Sequence, residues 1–556
     1  MRRAFEQDQA FVLQALEGGT MDYLEVVGKV AEMEFFRKLL GEGVLQRLAA
    51  SYPTPRRKEE VPLWLYLASE ITLRLHGAMG FGAYPYIVHC GGLLDALGPE
   101  QVEQKEVKPG VSRPVCRGYN RKNHTARTTP CDADYLRKLG KDTQAEALEH
   151  WFGTAVAREY QTLGGYDPEG VFLVDGTYLF VPLENDRYER SSRLLFGEDG
   201  HPISKEDYEA LPVEARRRCH LERCYRAVTL SHTTAEKDYA LRCGVHVMPG
   251  RDAESPQVWP LVERFVDAVG PGVMKLLIYD RGLVDGETVG RLKAVGADSL
   301  FPLKKGMDVW EDAKMLAAYQ RGPWVRYDLP PPAPVPPPPD RPEVVRRREA
   351  KRQETLRKKR EEAGPEPPVH QLEWIEHCWI EPSRLWKTCP VPISVLLVRN
   401  HYADGQTLEW ALGSTRVFAE PWEMWNHYAL RPAIEEEHRQ EKCFWDMSHF
   451  RSTSFSLVVN QVVFVELASS LIQLFLRNLG REEWIGRMRK RLLELLLPNE
   501  YKIIVYFQQR FGLFSIHEYE EILLTLREGA RRRLLGKVRQ LRRAQCTPPD
   551  LPWRTE

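Results

Sequence analysis

The chain has 556 residues and no excess of either charge: 78 Lys and Arg balance 78 Asp and Glu. Bulk charge therefore does not draw it to a polyanion, and any such partner must be held by local patches. It also lacks a CxxC pair. Its ten cysteines follow no regular spacing and are expected as reduced thiols. No apolar stretch follows Met1-Arg2-Arg3-Ala4-Phe5-Glu6-Gln7-Asp8, so no secretory leader is expected. There is no phosphate-cradling glycine loop, no dinucleotide fingerprint and no internal repeat, so neither ATP nor a nicotinamide cofactor is suggested. Long apolar runs are scarce as well. The one exception, residues 456–476, has the length of a membrane span. It contains Asn460, Gln461, Glu466, Ser469, Ser470 and Gln473, which are costly in lipid. We expect a helix buried inside a soluble, cytoplasmic protein, with no membrane partner.

What remains is an ordinary globular composition, 43% hydrophobic and 28% charged, in a chain long enough for about three to five domains. Residues 1–150 read as a helical N-terminal region: Leu63, Leu67, Ile71 and Leu75 recur at helical spacing until Gly77, Gly80 and Gly82 break it. Arg113, Arg117, Arg121, Lys122 and Arg127 then form a basic segment before Thr129-Pro130, a helix start that runs on through Tyr135, Leu136 and Leu139. That segment is either a nucleic-acid contact or a solvated linker, and residues 1–150, N-terminal helices and basic segment together, are the expected DNA-binding region.

From 151 to 306 the pattern becomes α/β. Val171-Phe172-Leu173-Val174-Asp175-Gly176-Thr177 and Arg226-Ala227-Val228-Thr229-Leu230 read as strands, and 258–269 as an amphipathic helix. Met274-Lys275-Leu276-Leu277-Ile278-Tyr279-Asp280-Arg281-Gly282 reads as a buried strand, 284–295 as a helix and Ser299-Leu300-Phe301-Pro302-Leu303 as a further strand. Residues 307–418 read as a β-rich insertion with its own small sheet. It holds a Pro-rich, charged linker at 330–368, PPII-like where proline dominates. Residues 419–480 return to the core, and 481–556 form a helical, basic C-terminal region.

Three acidic features stand out. Two apolar strands each end in an aspartate, Asp175 and Asp280, and strand ends of α/β folds are where ligand sites gather. A later helical segment carries Tyr428, Arg431, Glu435 and Lys442. Offsets of three, seven and fourteen residues place all four within about 60° of one helix face. Pro432 disturbs this, because it suits a helix start and would leave Tyr428 and Arg431 in the preceding turn. Hard divalent cations take carboxylate, phosphate and water oxygens. Two of them about 4 Å apart stabilise the attacking and leaving oxygens of an in-line phosphoryl displacement. Any one feature alone is equally a turn aspartate or a surface ion pair.

Together these residues resemble the DDE transposases of the insertion-sequence-four family. That family's Tyr-x2-Arg-x3-Glu-x6-Lys signature is complete here as Tyr428, Arg431, Glu435 and Lys442. Its first Asp followed by Gly-Thr is matched by Asp175-Gly176-Thr177, and its Asp-Arg-Gly by Asp280-Arg281-Gly282. The resemblance covers about residues 165–478. It implies a ribonuclease-H-like catalytic core interrupted by the β-rich insertion. Asp175, Asp280 and Glu435 would be both catalytic residues and ligands of two magnesium ions, with manganese as a substitute. It further implies a nick at the transposon end, attack by the freed 3′ hydroxyl to form a hairpin, and joining to target DNA. The partners would be double-stranded transposon ends and target DNA, with a homodimer assembled on them. Tyr428, Arg431 and Lys442 would hold phosphates, and Trp410 would stack on a flipped base. His438 and Arg439, one turn past Glu435, are further candidate phosphate contacts.

Two departures stand against the family pattern: Pro432 replaces the usual Trp, and the insertion is enlarged by its linker. A domesticated DNA-binding protein and a ribonuclease-H-like nuclease without strand transfer are the alternatives. Cys219, Cys224, Cys243 and His246 could be drawn as a zinc site, but Cys-x4-Cys is wide for one and these residues read as core thiols and sheet. Asp285, Glu287, Asp308, Glu436 and Glu437 read as solvated acids.

Overall fold

The computed structural model describes residues 6–27, 30–58, 61–77, 80–84, 87, 92–93, 96, 102–109, 111–116, 131–234, 239–319, 324–328, 372–384, 386–481, 502–508 and 510–546. The proline run, the charged run at 346–362 and residues 117–130 of the basic segment lie outside them. Two compact units result, one of residues 1–275 with 432–556 and one of 276–431.

The first unit opens with strands β1 (Glu6–Gln7) and β2 (Tyr23–Val27), followed by helices Val30–Gly41, Val44–Ala50 and Leu63–Leu75. A hairpin of β3 (Val102–Lys108) and β4 (Val111–Cys116) stands where a purely helical region was expected. The next helix is Ala133–Asp142, and Asp132 caps it through the Asp134 amide. The unit's central meander is antiparallel. β5 (Val171–Val181) pairs with β7 (His220–Thr233) in a register that sets Asp175 opposite Thr229. β6 (Ser192–Phe196) and β8 (Ala240–Pro249) follow one another along the other edge of β7. Val, Phe and Leu begin β5 and are buried, as a sheet covered by helices requires.

One cover is the helix Phe455–Asn478, with nearly every residue buried. It is long and apolar enough to cross a membrane, but 94% of its most apolar window is packed inside the protein. Two of its polar residues donate to partners there: Asn460 to the Tyr66 hydroxyl at 3.1 Å and Gln461 to the Asp446 carbonyl at 2.8 Å.

The second unit contains a parallel pair, β9 (Leu276–Tyr279) and β10 (Asp298–Pro302), joined through helix Gly286–Ala294. Strands β11 (Val325–Asp328), β12 (Leu372–Ser383), β13 (Ile393–Tyr402) and β14 (Thr407–Ser414) are antiparallel. They are not a separate small sheet. β14 pairs with β10, Gly413 opposite Phe301, and the order runs β11-β12-β13-β14-β10-β9. Gly413 permits the join, because a Cβ there would lie 2.9 Å from the Phe301 ring. The compact unit accordingly begins at 276 rather than 307.

The C-terminal region was expected to be helical but returns two strands to the first unit, β15 (Lys502–Phe507) and β16 (Arg510–Ser515). Together with the first strands they form a four-stranded sheet, β1-β16-β15-β2. The signal lay in Ile503-Ile504-Val505-Tyr506-Phe507, a β-branched and aromatic run. Val12, Leu16, Val505, Phe514 and Leu534 share the core of this terminal module. Gly19, at φ 76°, sits 2.7 Å by its absent Cβ from the Ala530 Cα, so only glycine fits between helices Gln9–Glu17 and Glu528–Cys546.

Candidate active site

Asp175 does not end its strand as expected but lies midway along β5, which continues through Gly176 to Val181; it is partly exposed, and its Oδ1 accepts from the Gly176 amide at 2.9 Å. Alternation along a strand turns Thr177 to the same face as Asp175. Thr177 Oγ1 accepts from Lys442 Nζ at 2.8 Å, across to the signature helix Pro432–Phe444. Burial pulls the Lys442 pKa down, while the negative neighbours Cys443, Glu441 and Asp175 pull it up. The cation therefore stands in the field of the first aspartate. Glu435 is two turns earlier on the same face of this helix and is exposed to solvent.

In the second unit Asp280 directly follows β9, at the carboxyl end of the parallel pair. It caps the short turn Arg281–Leu283, accepting from the Arg281 amide at 2.7 Å. Arg431 Nη2 stands 3.5 Å from Asp280 Oδ2. Tyr428 closes the helix Pro421–Tyr428, and its carbonyl accepts from the Arg431 amide at 2.9 Å. The four signature residues thus do not share one helix face. Pro432 starts a new helix, as its fixed φ and missing N–H favour.

Trp410 on β14 is half-buried, with Nε1 donating to Asn400 Oδ1 at 3.2 Å and its ring 4.6 Å from that of Trp425. Trp425 in turn stacks on Trp422 at 5.1 Å. Trp410 also lines a cavity of about 90 Å³ with Trp310, Trp324, Lys314, Arg399 and Glu409. Glu409 bridges the cavity's two cations, meeting Lys314 at 3.1 Å and Arg399 at 2.8 Å, which leaves its lining one positive charge in excess.

Two expected phosphate contacts on the signature helix are placed differently. His438 turns inward, 3% exposed, with Nε2 2.7 Å from Thr229 Oγ1, so its ring faces the sheet. Arg439 is exposed but forked on Glu436 of its own helix. Glu437, read as solvated, is also turned inward. It accepts from Ser231 at 3.2 Å and meets Arg242 at 3.0 Å. Arg242, fully buried on β8, forks onto Glu441 at 2.9 and 2.7 Å. Burial works against the charge on this guanidinium, but Glu441 and Glu437 outweigh it and its pKa is raised. This clamp was missed in the sequence. Its trace was a lone Arg in Ala240-Leu241-Arg242-Cys243, a strand otherwise apolar, where a charge needs a partner.

The family model described as "Transposase DDE domain" matches residues 190–471, half of the chain. The chain belongs to the transposase DDE domain family. The matched span contains Asp280, Trp410 and the whole signature, and begins after Asp175. No curated protein matches the chain. Among solved structures it is similar to a piggyBac transposase synaptic complex with hairpin DNA. The TM-score is 0.34 and the identity 10%, over 84% of this chain and 79% of that one.

The transposase's three candidate acids offer carboxylate oxygen alone, the donor chemistry of a hard divalent cation. Among the described residues no three His, Cys, Asp or Glu are already gathered as a metal cluster. Magnesium does not need a preformed cage, since one or two carboxylates with water and substrate phosphate suffice. The cysteines drawn as a zinc set are engaged separately. Cys219 Sγ donates to Ala215 at 3.5 Å, Cys243 Sγ to Leu241 at 3.1 Å, and His246 pairs with Glu149 at 2.9 Å. Burial pushes the Cys224 and Cys243 thiols up to about 12, away from the thiolate that binds metal. Asp285 caps the helix Gly286–Ala294, Glu287 pairs with Arg291, and Asp308 sits in the first turn of helix Asp308–Tyr319.

Proposed function

We propose that this transposase belongs to the insertion-sequence-four type and moves a DNA element by cut and paste. Asp175, Asp280 and Glu435 would hold two magnesium ions, for which manganese can substitute. Bound there, the metal supplies charge neutralisation to the attacking and leaving oxygens of a phosphodiester. The observation that carries the reading is the pairing of acids with signature cations: Arg431 beside Asp280, and Lys442 on Thr177, two residues past Asp175. A DNA phosphate that displaced either contact would find a cation already in place, a guanidinium beside Asp280 or an ammonium on Thr177. Arg431 and Lys442 each bind and orient backbone phosphate, and Tyr428 supports the Arg431 contact from the helix end before the turn. Trp410, with its neighbouring cavity, offers a π-face to an unpaired base. Water opens the 3′ strand, and the freed hydroxyl attacks the opposite strand to give a hairpin. Reopening and target joining follow at the same residues. A homodimer on paired ends is part of this reading.

The test is cleavage of supercoiled DNA carrying the element's own ends, with magnesium, comparing wild type with Glu435→Ala. Nicks, hairpins and strand-transfer products are expected from wild type. The variant should be slower by about a thousandfold or more, since a metal contributes several kcal/mol to such a displacement. A manganese titration followed by electron paramagnetic resonance should show weakened binding in the same variant. Cleavage that survives the substitution overturns the site. Cleavage without transfer products leaves a nuclease.

A further inference from the structure

The helix Glu528–Cys546 carries seven Lys or Arg and one acid, in a chain whose net charge is zero. Its inner side is fixed by packing: Ala530 and Leu534 are buried in the terminal module, with Val538 against them. At 100° per residue Arg532 and Arg539 fall on the opposite side, with Arg531 on a flank. Arg532 is 79% exposed. Arg527, Arg531, Lys537 and Arg539 form no ion pair among the described residues. Three of the module's acids are engaged elsewhere. Asp8 caps the helix Gln9–Glu17 and pairs with Arg510 at 2.5 Å. Asp22 accepts from the Gln508 amide at 2.7 Å, and Glu518 closes a capping box with Ser515. Only Glu528 shares the basic helix, where it pairs with Arg532. Positive charge is thus separated onto one rigid outward face, although the module as a whole is close to neutral.

We propose that this face grips the phosphate backbone of duplex DNA, holding the substrate outside the catalytic residues. The inference rests on the transposase reading for its partner. A helix held by its apolar side presents its cations without further ordering, and phosphate contacts position DNA regardless of sequence. Counterion release then makes each contact count in the salt dependence.

The experiment uses the full-length chain and a fluorescent duplex, with affinity measured across salt concentrations. Arg531→Gln, Arg532→Gln and Arg539→Gln combined should weaken binding about tenfold or more at physiological salt. They should lower the log–log salt slope by about two to three. The matching triple Lys variant keeps the charge and should restore most of the affinity, which separates charge loss from damage to the fold. Wild-type affinity and slope in the Gln variant overturn the proposal. A chain that cleaves DNA with magnesium yet binds equally well as the Gln variant loses this inference and keeps the transposase reading. A chain that binds through this helix but never cleaves does the reverse.

Discussion

Beneath the signature helix, Arg242 holds Glu437 and Glu441 in a buried network that Glu466 also enters. Glu466 is wholly buried, and neither carboxylate oxygen has a hydrogen-bond partner in the structure. Burial first, then the Glu441 charge, raise its pKa well above 4.5, so it stays protonated where most carboxyls ionise. Burial likewise pushes Glu437 up to about 7. A carboxyl raised on folding contributes stability that is fully present below its unfolded pKa and is lost as pH rises through the folded one. Wild type should therefore lose thermal stability on going from about pH 5 to pH 9. Glu466→Gln, which keeps the shape without the proton, should flatten that decline in scanning calorimetry. An unchanged slope would place the titration elsewhere. Asp175, Asp280 and the signature were legible in the sequence because each stands at a fixed offset within a local pattern. The clamp was not, because Arg242 and Glu441 are 199 positions apart and only the fold joins them.

At the scale of elements, the apolar strands of the meander and the parallel pair were readable from β-branched runs, and the buried helix from its uncharged length. The Pro432 break, which divides the signature between the end of one helix and the start of the next, was legible too, from proline's fixed φ and missing N–H. One feature escaped. The terminal strands β15 and β16 were hidden by the basic tail that follows them, whose composition suggested helix throughout. Their pairing with β1 and β2 depends on contacts across most of the chain. The module's core is correspondingly small, and Leu534, fully buried, is its link to the basic helix. Leu534→Ala should cost about 2–5 kcal/mol of that module's stability. Hydrogen exchange should then rise together in residues 6–27 and 502–546 while β5 and β7 stay protected. Faster exchange confined to the helix alone would show that it is held independently of the sheet.

For the whole molecule, zero net charge supplies no overall attraction to DNA, so on the proposed reading local faces carry binding while the three acids carry chemistry. Binding and cleavage should accordingly separate. Asp280→Asn with Glu435→Gln should abolish magnesium-dependent cleavage yet bind duplex ends at least as tightly as wild type in the absence of metal, because two anions facing phosphate are gone. A parallel loss of affinity in filter binding would mean that the acids also shape the DNA surface. The shared terminal sheet has a further consequence, in the timing of biosynthesis. β2 ends at Val27, and its partner β15 begins at Lys502. At ribosomal rates of about 5–20 residues per second, the early strand waits roughly half a minute to a minute and a half for its mate. Until then the module cannot close. A chain released prematurely carries the signature residues but not the basic helix, and on the proposed DNA grip such a copy should bind duplex more weakly than the full-length chain.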